Sequence, residues 1–127
     1  MTRLRILQVE DDHDILDISK IALEAIGGHE VFQFSDGNEA IAKAEEISPD
    51  LILLDVLMPR LSGQETLEQL RSLPKCKQVP VIFMTAKTQE EVVNRLRDIG
   101  AAGIVIKPFD PIALSADIAN ILSSTAV

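Results

Sequence analysis

The sequence predicts an α/β fold: a doubly wound, five-stranded parallel sheet with helices on both faces. Short apolar runs alternate with amphipathic helical stretches five times along the chain, the signature of βα units. Two of the runs, "LILL" and "VPVIFM", show no polar alternation, as expected of parallel strands buried on both sides. The chain of 127 residues has no linker, repeat or low-complexity segment, so residues 1–127 are expected to form one domain.

Each element follows from local signals. Leu4–Val9, "LRILQV", reads as the first strand. "DILDISKIALEAI" follows as a helix, with Ile15, Ile18, Ala22 and Ile26 at helical spacing and Gly27-Gly28 ending it. Asp12 is suited to cap it. "VFQF" from Val31 is a short strand. "GNEAIAKAEEI" is a helix opened by Ser35 or Asp36 and closed before Pro49. Leu51–Leu54 is the third strand, and "GQETLEQLRSL" is a helix ending before Pro74. After "VPVIFM", "TQEEVVNRLRDIG" reads as a helix with a Thr88–Glu91 capping box and Gly100 as its stop. "GIVI" is the last strand. Asp110 and Pro111 are expected to open the last helix, "PIALSADIANIL", as N-cap and first residue.

Composition narrows the function. At 46% hydrophobic and 25% charged the chain resembles a soluble globular protein. No apolar stretch approaches the roughly 20 residues that span a bilayer. The start, "MTRLRILQVEDD", is not a signal peptide, so a cytoplasmic setting is expected. A net charge of −8 argues against nucleic acid as a partner. The lone Cys76, between Lys75 and Lys77, excludes an intramolecular disulfide and reads as an inert surface thiol. His13 reads as exposed, His29 as a solvated turn residue, and Phe109 as a packing anchor.

The chemistry lies at the strand ends, where ligands bind in open α/β sheets. The third strand runs into Asp55, a carboxylate with no polar neighbour in "LILLDVLMP". A buried charge there needs a cation, a proton or a route to water. The other strand ends supply the partners: Glu10-Asp11-Asp12 after the first, Thr85-Ala86 after the fourth, Lys107-Pro108 after the fifth. Carboxylates suit Mg²⁺, which takes one or two of them with waters and phosphate oxygens. A hydroxyl and an ammonium suit the remaining phosphoryl oxygens. An ionised Asp beside a metal is a nucleophile able to form an acyl phosphate.

The segments "ILQVEDD", "LILLDVLMP", "FMTA" and "VIKPFD", in this order, closely resemble the receiver domain of two-component response regulators, of the stand-alone type. The resemblance spans the whole chain and implies the strand order 2-1-3-4-5. It implies Asp55 as phosphoacceptor, Asp11 as a direct Mg²⁺ ligand, and Glu10 acting mainly through a bound water. It gives Leu57 a role through its backbone carbonyl, Thr85 and Lys107 contacts to the phosphoryl group, a cis Lys107-Pro108 bond, and Gly63 at the start of the third helix. The implied partners are a histidine kinase or histidine phosphotransfer protein as donor, and an output protein acting in trans. No enzymatic activity is expected beyond self-catalysed phosphoryl transfer and autodephosphorylation.

Three features depart from the family pattern. Ile104 stands where the family usually has Tyr or Phe, and a β-branched aliphatic cannot swing a ring into a pocket. Leu57 and Lys87, two residues after Asp55 and Thr85, point to slow autodephosphorylation. In the last helix Leu114, Ile118 and Ile121 are expected to face the core. Ile112, Ala116 and Ala119 form a second apolar stripe, suited to a partner helix or to a homodimer. Three rivals fare worse: a phosphate-independent binding module lacks a reason for the full acidic and lysine set, a phosphohydrolase lacks an acid/base Asp at Leu57, and a flavin protein lacks Trp or Tyr to stack on the ring.

Overall fold

The computed structural model describes residues 3–125. Five strands, β1 (Arg5–Val9), β2 (Glu30–Phe34), β3 (Leu51–Asp55), β4 (Val81–Thr85) and β5 (Gly103–Ile106), form one sheet in the order 2-1-3-4-5. All four pairings are parallel. The helices are α1 (His13–Lys20), α2 (Gly37–Ile47), α3 (Gly63–Arg71), α4 (Glu90–Asp98) and α5 (Leu114–Thr125).

The alternation of side chains along each strand builds two cores. Leu7, Val9, Ile52, Leu54, Val81 and Phe83 pack with Ala40 and Ala44 of α2, Leu67 and Leu70 of α3, and Leu96 of α4. On the other face Ile6, Leu51, Leu53, Ile82, Met84 and Val105 pack with Ala22, Leu23, and Leu114 and Ile118 of α5. The apolar runs in the sequence are therefore strands buried on both faces. This winding brings the carboxyl ends of β1, β3, β4 and β5 to one edge.

Local signals act largely as expected. Asp12 Oδ1 accepts from the Asp14 amide at 2.9 Å and the Ile15 amide at 3.4 Å, capping α1. Asp36 rather than Ser35 caps α2, accepting from Asn38. Gly100 takes the left-handed conformation (φ 102°) just past α4. Phe109 packs on the second core, as expected of an anchor.

Several expectations are corrected. Beyond Lys20 the first helix continues as a π-helix, Ile21–Ile26, because the Gly27 amide reaches back five residues to the Ala22 carbonyl. Hydrophobic spacing does not distinguish this widened turn from an α-turn. The helix α4 starts at Glu90, with Gln89 as N-cap and no side-chain cap bond, so the Thr88–Glu91 box does not form. The helix α5 starts at Leu114. Asp110 instead closes a turn, its carboxylate accepting from Ile112 at 2.9 Å, and Pro111 lies in that turn rather than in the helix. Cys76 is fully buried in the first core, and His29 is only 5% exposed. Both lie among polar residues in sequence, but their loops fold back on the sheet. His29 Nδ1 accepts the Leu4 amide at 3.0 Å, and Arg71 donates to the carbonyls of Cys76 (2.8 Å) and Val79 (2.6 Å), holding the segment around Cys76 inward.

Candidate functional site

At the carboxyl edge of the sheet, Glu10 and Asp11 follow β1, Asp55 ends β3, Thr85 ends β4 and Lys107 follows β5. The strand register brings them together. Val9 pairs with Leu54, Asp55 with Met84, and Thr85 with Ile106. The Lys107 amide donates to the Thr85 carbonyl at 2.9 Å, so Lys107 leaves the sheet beside the threonine. The Lys107-Pro108 bond is cis, as expected.

Lys107 Nζ is the hub. It donates to Glu10 Oε1 in a short hydrogen bond and lies 3.3 Å from Asp55 Oδ1. The Asp12 amide donates to the second Glu10 oxygen at 3.2 Å. Glu10 is buried, Asp55 partly buried and Asp11 exposed. Burial is the main cause that pushes the Glu10 carboxyl up to about 7. The Lys107 bond opposes this shift and the neighbouring Asp55 adds to it. Burial pulls the Lys107 ammonium down, but Glu10 and Asp55 outweigh it and hold it above its ordinary value.

Glu10, Asp11 and Asp55 each offer an oxygen within 4.8 Å of the others. Three carboxylates face one ammonium, so the cluster carries excess negative charge. All the donors are hard oxygens, and the exposed Asp11 leaves a route from solvent. This set fits a hard divalent cation such as Mg²⁺.

Thr85 is buried, and its Oγ1 accepts the Lys87 amide at 3.0 Å. This bond turns the loop after β4 over the hydroxyl. Leu57 is 61% exposed, so its side chain is not part of the core. His13 is exposed and outside the acidic cluster, as expected.

Two contributions to the site escape a reading of side-chain chemistry. Ser62 and Glu65 form a reciprocal capping box at the start of α3, with bonds of 3.2 Å and 3.0 Å. Its S-x-x-E signal stands in the sequence as "SGQE". Gly63 packs directly on the Asp55 backbone, where a Cβ would lie 2.0 Å from the Asp55 carbonyl oxygen.

Comparison with known proteins supports the fold. Residues 6–119 match the model of the response regulator receiver domain. The chain is 37% identical to the alkaline phosphatase synthesis transcriptional regulatory protein PhoP of Bacillus subtilis, over 97% of this chain and 50% of that protein. It is 41% identical to hybrid signal transduction histidine kinase D of Dictyostelium discoideum, over 69% of this chain and 6% of that one. The chain thus spans half or less of these curated relatives. Among solved structures, the chemotaxis protein CheY4 of Vibrio cholerae superposes with a TM-score of 0.87 at 31% identity, covering 94% of this chain and 99% of that one.

Proposed function

The chain belongs to the response regulator receiver domain family, the phosphoacceptor switches of two-component signalling, and from this premise we propose that it accepts a phosphoryl group on Asp55. The observation that carries the reading is Lys107 held between Glu10 and Asp55 beside Asp11.

In this reading an Asp55 oxygen attacks the phosphorus of a phosphohistidine on a histidine kinase or phosphotransfer protein. The P–N bond breaks, the imidazole nitrogen keeps the electron pair, and an acyl phosphate remains on Asp55. Lys107 neutralises charge on the phosphoryl oxygens as a point charge. Thr85 Oγ1 donates to one of them, which requires its hydroxyl to turn toward the new group. Asp11, Asp55 and the Leu57 carbonyl would hold Mg²⁺, with Glu10 acting through a bound water. Bound Mg²⁺ supplies charge neutralisation for a transfer that depends mostly on positioning.

The added charge is the signal. Ile104 carries no ring, so the response runs through Thr85, Lys107 and the loops they hold rather than through an aromatic switch. The output is a partner surface that reads the region around β5 and α5. In this reading its own activity is self-catalysed phosphoryl transfer and autodephosphorylation, and its setting is the cytoplasm.

Incubation with acetyl phosphate and Mg²⁺ tests the reading by intact mass. Wild type is expected to gain one phosphoryl group, and Asp55→Asn none. Uptake by Asp55→Asn equal to wild type would place the acceptor elsewhere.

A further inference from the structure

We propose that Gly63 is a positioning residue for phosphoryl acceptance: its missing side chain lets the first turn of α3 rest on the Asp55 peptide, and this contact fixes both the acceptor carboxylate and the Leu57 carbonyl. The inference rests on the reading of Asp55 as phosphoacceptor.

A Cβ at Gly63 would meet the Asp55 carbonyl oxygen at 2.0 Å, the Asp55 carbonyl carbon at 3.0 Å and the Val56 Cα at 3.1 Å. All three are backbone atoms and cannot rotate aside. The nearest atoms at Gly27, Gly37 and Gly103 belong instead to side chains, of Ser115, Thr66 and Ile121. The Gly63 amide also donates to the Val56 carbonyl at 3.0 Å. The loop 56–62 therefore leaves from Asp55 and returns to the same peptide.

That loop has little slack. Arg60 holds a left-handed φ of 68°, and the Leu61 amide closes on the Pro59 carbonyl at 2.8 Å. The Ser62–Glu65 box fixes its far end, and Thr66 Oγ1 donates to the Ser62 carbonyl at 2.8 Å. A side chain at position 63 has two ways to relieve its clash. It can push the Asp55 peptide, which carries the acceptor, or lift α3 and drag the loop that carries Leu57. Either displaces a group that must face the cation. Misplacement by about 1 Å is enough to cost a transfer step about a hundredfold.

The test compares wild type, Gly63→Ala and Gly27→Ala. Gly27 is a steric control away from the strand-end cluster: its Cβ would lie 2.0 Å from Ser115 Oγ and 2.9 Å from the Leu23 carbonyl oxygen, where α5 meets the π-helix. Mg²⁺ affinity is read by calorimetry, phosphoryl uptake from acetyl phosphate by intact mass, and stability by urea unfolding. Both variants are expected to lose stability. Only Gly63→Ala is expected to weaken Mg²⁺ binding and slow uptake, each by about tenfold or more. If Gly63→Ala unfolds in buffer, all three proteins are measured in sucrose, which favours the compact state. Mg²⁺ affinity and uptake in Gly63→Ala within about twofold of wild type overturn the proposal, as does an equal loss in Gly27→Ala. A wild type that takes up no phosphoryl group refutes instead the assignment of Asp55.

Discussion

At the scale of single residues, the site is charge held under tension. Two unit charges within 4.8 Å of each other repel by about 3 kcal/mol or more at an effective dielectric constant near 20. Lys107 offsets part of this by touching both Glu10 and Asp55. Asp55→Asn should therefore raise metal-free stability by about 1 kcal/mol, since Lys107 keeps its Glu10 partner while one of three crowded carboxylates is neutralised. Urea unfolding in EDTA checks this. Mg²⁺ should raise the midpoint of wild type and do less for the variant. His29 gives a pH signature. Burial lowers its pKa below 6.5, and its Nδ1 must stay unprotonated to accept from Leu4. The unfolded chain then takes up the proton first, so this contribution is complete above pH 6.5 and is lost as pH falls through the folded value. Glu10, held up to about 7 against 4.5 unfolded, acts in the opposite sense and adds stability as pH falls across that interval. Comparison of wild type with His29→Gln separates the two, and the gap between them should narrow below pH 6.5. The site residues were legible because their chemistry is unusual at the end of an apolar strand. Cys76 and His29 were misread because burial of a loop residue depends on distant partners, such as Arg71 for the segment around Cys76, that no local pattern encodes.

At the scale of elements, capping decides where helices begin. Gln89 leaves the α4 amides without a side-chain acceptor. Gln89→Asp should stabilise the protein by about 0.5–1 kcal/mol, and Ser62→Ala should cost about 1 kcal/mol by opening the α3 box. Thermal unfolding checks both. The five alternating units were legible because strand and helix periods differ. Their ends were less so. Thr88 and Glu91 satisfy the capping-box spacing, but the chain turns after Thr85 to place the Lys87 amide on the threonine hydroxyl, and the helix starts two residues later than Thr88. Asp110 bonds two residues ahead just as an N-cap does, yet the chain makes a turn before α5 forms. The same bond serves two structures, so the sequence signal is degenerate. The closeness of Gly63 to Asp55 was invisible because it is a contact made by an absent side chain.

At the scale of the whole molecule, the parallel winding gathers four strand ends into one charged edge and leaves partner surfaces around it. Ile112, 77% exposed, lies in the turn before α5, so the expected stripe of Ile112, Ala116 and Ala119 is not a single helix face; Leu114 and Ile118 face the core and Ala116 lies on the exposed face of the helix. Ala116→Glu should leave folding intact and weaken any complex formed through this face; sedimentation of both proteins, alone and with the donor, reads the effect. Leu57 offers no hydrogen bond to an attacking water, so the acyl phosphate should persist for minutes or longer, as followed by intact mass after the donor is removed. Chemical trapping identifies the acceptor. The chain is treated with acetyl phosphate and Mg²⁺, reduced with borohydride, digested and mapped by mass spectrometry. An acyl phosphate on an aspartate is converted to homoserine, which is expected at position 55 alone. Homoserine at another carboxylate, or an unmodified Asp55 in protein that has gained a phosphoryl group, would contradict it.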